Sequence, residues 1–94
     1  MRYRVKLSNS ARRALKKLGR SGAFNPSVFN AILQCLEQGS PIPEKYQDHR
    51  LHGEFVHFRE CHLGFNLLLL YERDDELKII TISEIGTHLE LFGE

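Results

Sequence analysis

Apolar and basic residues alternate at the start of the chain, with Tyr3, Val5 and Leu7 set against Arg2, Arg4 and Lys6. A period of two marks a strand with one buried face, so the chain is predicted to open on a strand. From Ser8 the period lengthens. Ala11, Ala14, Leu15 and Leu18 fall at i, i+3, i+4 and i+7, while Arg12, Arg13, Lys16 and Lys17 occupy the other side. This is the pattern of an amphipathic helix, which Ser8 or Ser10 can cap and which the glycines from 19 to 22 are predicted to break. A second helix is predicted from Asn25 as N-cap and Pro26 at the first helical position. It carries Val28, Phe29, Ile32, Leu33 and Leu36 on one face and ends at Gly39. Residues 40–53, with Pro41 and Pro43, read as a loop. Three strands are predicted to follow, at about 54–61, 66–73 and 77–84, with turns at Gly64 and at Asp74-Asp75.

Consecutive helices and meander-length connections predict an α+β fold: a small twisted, mostly antiparallel sheet with two N-terminal helices packed on one face. At 94 residues, without a repeat, linker or low-complexity segment, the chain is expected to form a single domain spanning 1–94. A domain this short buries little more than roughly 60% of the surface of its unfolded chain, so a partner that binds the native state would stabilise it. The start of the chain lacks an apolar signal core, and the longest apolar run, residues 67–71, is too short to span a bilayer. Cys35 and Cys61 do not make a disulfide framework; two reduced thiols in a cytoplasmic protein are expected.

The net charge of +1 hides an uneven distribution. Residues 1–20 hold Arg2, Arg4, Lys6, Arg12, Arg13, Lys16, Lys17 and Arg20 with no acid, whereas Asp74-Asp75-Glu76 and the stretch from Glu90 to Glu94 are acidic. Such a basic cluster is ordinarily a solvated helix face, and a surface for a polyanion is the second reading.

All five histidines lie between positions 49 and 88: His49 and His52 in the long loop, His57 and His62 on the second predicted strand, His88 after the last. Histidine is a base when neutral and an acid when protonated near neutral pH. Two of them across a phosphodiester can deprotonate a 2′-hydroxyl and protonate the departing 5′-oxygen without a metal. Spacing alone does not separate such a residue from a surface histidine. A zinc site is disfavoured, because Cys61 and the adjacent His62 would point to opposite faces of a strand and no CxxC pair accompanies them. No metal or cofactor is expected, and no phosphate loop or nucleophile elbow is present.

Four blocks resemble one family in order and spacing over nearly the whole chain: Asp48-His49-Arg50-Leu51-His52-Gly53, Phe58-Arg59-Glu60-Cys61-His62-Leu63, Leu68-Leu69-Leu70-Tyr71, and Gly86-Thr87-His88-Leu89-Glu90-Leu91-Phe92-Gly93. The family is the YafQ branch of the RelE/ParE toxin superfamily, from type II toxin–antitoxin systems. The resemblance implies a ribosome-dependent mRNA endoribonuclease (mRNA interferase), a monomer when alone and a hetero-oligomer with an antitoxin that wraps and inhibits it. It implies a site of His49, His62 and His88, with an acid four residues after the second histidine and an aromatic four residues after the third. Phe92 fills the aromatic place, as a stacking surface for a nucleobase.

The acid's place is taken by Asn66, which can orient a group but cannot act as a base. Where the family often has an arginine before Gly-Thr-His, this chain has Glu84. Arg59 or Lys78 is expected to supply the missing cation at the phosphate, Arg59 being the better candidate unless it serves as a structural partner of Glu60 or Asp48. Arg12, Arg13, Lys16 and Lys17 are expected to contact rRNA phosphates. His49 or His88 would act as base and His62 or the remaining histidine as acid, giving a 2′,3′-cyclic phosphate; His52 and His57 are expected to be bystanders. Two further readings are a RelE-fold protein that binds its antitoxin with weak or lost nuclease activity, and a plain RNA-binding domain.

Overall fold

A computed structural model describes residues 2–22 and 24–93. Strand β1 (Arg4–Leu7) leads into helices α1 (Asn9–Ser21) and α2 (Pro26–Gln38). Strands β2 (His49–Arg50), β3 (Arg59–Gly64), β4 (Leu67–Asp74) and β5 (Ile79–Gly86) follow, and a short helix α3 (His88–Phe92) ends the described chain. The sheet order is β1-β5-β4-β3-β2, with β1 parallel to β5 and every other pair antiparallel. The α+β architecture read from periodicity is therefore the observed one, with an α3 that periodicity did not indicate.

Both long helices start and stop on local chemistry. The Ser8 side chain accepts from the Ala11 backbone N–H, and that of Asn25 accepts from Ser27 N–H with Pro26 in the first turn. Gly22 and Gly39 close the helices in the left-handed region, at φ +74° and +69°. The break expected between Gly19 and Gly22 falls at Gly22. Gly19 stays helical because Leu18 still packs on the core and the left-handed turn needs a glycine only at 22.

Ala11, Ile32 and Leu36 bury against Cys61, Leu63, Leu69, Tyr71, Ile80, Ile82 and Ile85, so both helices cover one face of the sheet. A bulge decides which face each part of β5 presents. Leu70 pairs with Glu84 and Tyr71 with Ile82, leaving Ser83 as the extra residue. Ile80, Ile82 and Ile85 thereby all reach the core, while Glu84 and Gly86 point away from it with Leu70 and Leu68.

The strand boundaries differ from expectation for identifiable reasons. The second predicted strand begins at Arg59 rather than near 54, because Gly53–Phe55 forms a 3₁₀ turn on a Gly53 at φ +67°. His57 is therefore not on a strand, and His49, expected in a loop, pairs with Glu60 on the two-residue β2. The last strand starts at Ile79, since the Asp74 carboxylate accepts from the N–H groups of Glu76 and Leu77 and holds the turn open to Lys78, at φ +57°.

Edge strand β2 is anchored by one carboxylate. Asp48 accepts from Arg59 Nη2 at 2.8 Å, from Arg59 Nε at 3.2 Å and from the Tyr71 hydroxyl at 2.6 Å. Burial, reinforced by the Asp48 hydrogen bond, pushes the Tyr71 hydroxyl far above its ordinary value.

Helix α3 is set on β5 by three features. Thr87 and Glu90 form a reciprocal capping box, with Glu90 N–H donating to Thr87 Oγ1 at 3.1 Å and Thr87 N–H to Glu90 Oε1 at 2.8 Å. Gly93 closes the helix at φ +77°. Gly86 leaves room for it: a Cβ there would stand 3.0 Å from Glu90 Oε1 and 3.2 Å from Leu91 Cδ2.

Asp48→Ala orphans the Tyr71 hydroxyl and the Arg59 guanidinium, and a loss of about 2 kcal/mol is expected in urea unfolding. Unchanged stability would show that the network is idle. The Glu90 carboxyl sits below the usual carboxylate range, chiefly because the Thr87 backbone N–H donates to it. A lowered native value adds stability that is complete above the unfolded value of about 4.3 and disappears as pH falls through the native one. The α3 amides are expected to lose protection from hydrogen exchange on acidification toward pH 3, and Glu90→Gln to remove that pH dependence. Protection that is pH-independent in the wild type would disprove the capping role.

Candidate active site

The sheet register sorts polar residues onto the face that α1 and α2 leave uncovered. His49 lies opposite Glu60, and His62 is two residues further along β3 on the same side. Leu68 and Leu70 on β4 sit beside His62 and Glu60, and Gly86 and Glu84 on β5 complete the two rows. Thr87 then starts α3, whose first residue is His88 and whose Phe92, four positions on, lies on the same helical side.

The rings form a continuous line. Centroids are 6.5 Å apart for His49 and His62, 6.5 Å for His62 and His88, and 6.4 Å for His88 and Phe92. Phe55, from the 3₁₀ turn, meets Phe92 edge-on at 5.3 Å.

Each histidine has a fixed neighbour. His49 Nδ1 donates to the Gln47 carbonyl at 2.7 Å, an oxygen presented by a residue at φ +54°. Its Nε2 lies 3.4 Å from Glu60 Oε1, and His62 Nε2 lies 3.7 Å from the same oxygen. Glu60 is only 5% exposed, so one buried carboxylate serves two imidazoles. His88 Nδ1 donates to Asn66 Oδ1 at 3.0 Å across the turn between β3 and β4. Glu84 is engaged by Ser10, whose hydroxyl donates to it at 2.6 Å, and Lys17 of α1 stands 4.0 Å from Glu90.

Of the residues singled out from the sequence, His49, His62, His88, Asn66 and Phe92 come together. Arg59 does not join them. Alternation on β3 sends it to the helix-covered face, where its ion pair with Asp48 at 2.8 Å makes it structural, and that hydrogen bond raises its pKa further. Lys78 lies at the other end of β5, 5.5 Å from the Tyr3 ring. His52 is exposed before the 3₁₀ turn, and His57 lines a cleft of about 660 Å³ on the face that carries Arg59. Arg12, Arg13, Lys16 and Lys17 are all exposed on α1, whose Lys17 reaches toward α3.

Sequence reading missed Glu60 as a site residue, although its place two residues before His62 on a strand puts both on one face. It also missed Phe55, for which the chain offers no periodic signal. Burial pushes the Cys61 thiol up to about 12, which removes it as a nucleophile. Among the described residues, no group of three or more His, Cys, Asp or Glu side chains is placed to hold a metal ion, and no helix is long and apolar enough to cross a membrane.

Comparison with known proteins bears on the family and the fold. A putative toxin YafQ from Haemophilus influenzae is 36% identical over 64 residues, covering 66% of this chain and 63% of that one. An mRNA interferase toxin YafQ from Escherichia coli K12 is 36% identical over 53 residues, covering 56% of this chain and 55% of that one. The match thus spans less than two thirds of either relative. The crystal structure of a metal-bound toxin from Helicobacter pylori superposes with a TM-score of 0.86 at 32% identity, over 98% of this chain and all of that one. The family described as "Bacterial toxin of type II toxin-antitoxin system, YafQ" matches residues 3–93, and this chain belongs to it.

Proposed function

We propose that this chain is an mRNA endoribonuclease that acts on the ribosome by metal-independent histidine chemistry and is held in check by a cognate antitoxin in the cytoplasm. The observation that carries the reading is the unbroken line of three imidazoles ending on Phe92, beside a buried carboxylate. A relative bearing the name mRNA interferase supports the substrate class.

The hydrogen bonds support a division of labour. Asn66 Oδ1 accepts a hydrogen bond from His88 Nδ1–H, so the neutral ring presents an Nε2 lone pair. His88 is therefore the general base on the 2′-hydroxyl. His49 donates through Nδ1 to the Gln47 carbonyl, and its Nε2, 3.4 Å from Glu60 Oε1, makes an ion pair with that carboxylate when the ring is protonated. His49, with His62 beside it, is the acid. The 2′-oxygen bonds to phosphorus, the P–O5′ bond breaks, and the departing oxygen takes the acid's proton, leaving a 2′,3′-cyclic phosphate and a 5′-hydroxyl. Asn66 thus performs the orienting part of the role of the acid it replaces. With Arg59 turned away, the imidazolium supplies positive charge at the phosphorane. Phe92 holds a nucleobase by stacking. Arg12, Arg13, Lys16 and Lys17 hold rRNA phosphates.

One observation favours the reading of weak or lost cleavage with antitoxin binding retained. Glu60 and Glu84 share the histidine face, and two carboxylates oppose a phosphate.

The test is cleavage of mRNA on programmed ribosomes. The rate is expected to pass through a maximum with pH, since one histidine must be neutral and another protonated. His88→Ala is expected to lower it about 10²- to 10⁴-fold. Chelation of transition metals, with magnesium kept for the ribosome, is expected to change nothing, and a strict need for added metal would refute the mechanism. In a separate binding assay, the Arg12, Arg13, Lys16 and Lys17 quadruple alanine variant is expected to lose affinity for ribosomes, with a shallower salt dependence. Undiminished affinity would remove α1 from the interface.

A further inference from the structure

Five of the six phenylalanines, Phe24, Phe29, Phe55, Phe58 and Phe92, are half-buried. Phe65 is fully exposed, at 104% relative accessibility. A lone exposed apolar residue needs no explanation by itself. Its position gives it one.

Phe65 and Asn66 are the two residues between the end of β3 at Gly64 and the start of β4 at Leu67. A turn this short leaves its backbone little freedom. It is fixed further by Asn66, whose Oδ1 accepts from His88 Nδ1 at 3.0 Å. The residue that orients one imidazole of the site is thus covalently joined to an aromatic ring that stands entirely in solvent. The His88 ring is also 6.4 Å from Phe92, which packs on Phe55.

We propose that Phe65 is a second base-stacking residue of this site, gripping a nucleobase of the single-stranded RNA that lies across His88. The assignment rests on the ribonuclease reading and extends it to the substrate's second contact. Proteins recognise unpaired RNA by stacking bases on aromatic side chains, and every base offers a π-face, so the contact adds affinity without dictating sequence. Phe65 is not needed for folding, because it buries nothing. It acts on how the strand is held rather than on proton transfer, which His88 performs.

The experiment measures cleavage of programmed-ribosome mRNA by the full chain carrying Phe65→Ala, Phe65→Leu or Phe65→Trp, with wild type and His88→Ala alongside. Phe65→Ala is expected to raise KM about 5- to 100-fold, the range of one lost stacked base, with kcat nearly unchanged. Phe65→Trp is expected to restore the wild-type KM. Phe65→Leu, which keeps the apolar bulk without the ring, is expected to behave as Phe65→Ala. Equal KM across the series overturns the assignment while leaving the ribonuclease reading intact, and so does a leucine variant that matches wild type. Equal KM with weakened antitoxin binding by Phe65→Ala would assign the ring to a protein partner instead. No cleavage by wild type would overturn the ribonuclease reading, and the Phe65 assignment with it.

Discussion

The alternation of side chains along the strands is the constraint on which the rest of this structure depends. It places Cys61, Leu69 and Tyr71 under the helices and Glu60, His62, Leu68 and Leu70 on the other face. The one departure on β5 matters as much as the rule. Without the extra residue at Ser83, a strand that buried Ile80 and Ile82 would turn Ile85 outward and Gly86 into the core. With it, Ile85 is buried at 5% exposure and Gly86 faces α3, where its missing side chain lets the helix lie close. The position of His88 and Phe92 therefore traces back to a backbone irregularity five residues before the first and nine before the second.

Charge is divided between the faces by the same rule. Arg59 and Glu60 are neighbours in sequence, yet the arginine is held by Asp48 on one side while the glutamate stands between two histidines on the other. An arginine that looked available to a phosphate is thus a structural partner of a carboxylate and a buried tyrosine. Breaking such a network leaves buried polar groups without partners, which is why its role in holding β2 outweighs its small size.

Much of the fold was legible because its signals are local and redundant. Each long helix combines a 3.6-residue apolar stripe with an N-cap and a terminal glycine, β1 alternates strictly, and β4 opens on an unbroken apolar run from Leu67 to Tyr71. The failures lie where a turn competes with a strand. Gly53 and the Asp74 side chain each open a turn that delays the next strand, moving His57 off β3 and the start of β5 to Ile79. Helix α3 spans five residues, too few for a stripe, although Thr87 and Glu90 carry the spacing of a capping box. Of the site, the three histidines, Asn66 and Phe92 were found through resemblance, which transfers positions but not contacts. Glu60 and the fate of Arg59 depend on which way each side of β3 faces, and that follows only once the register with β4 is known.

The placement of the histidines also bears on how the site responds to damage. None of the three sits in the middle of a central strand: His49 lies on a two-residue edge, His88 opens a five-residue helix, and His62 is next to the bulge at the end of β3. Each is pinned locally, by the Gln47 carbonyl, by Asn66 and by the shared Glu60. Elements this short have little cooperative stability of their own, so they open more readily than the core beneath them. Loss of one pin frees one ring without unfolding the sheet. Under the proposed mechanism acid and base act together on one phosphate, so small and separable losses of order combine non-additively in rate. The same construction makes these elements the part of the molecule that a bound partner can order or distort at least cost to the core.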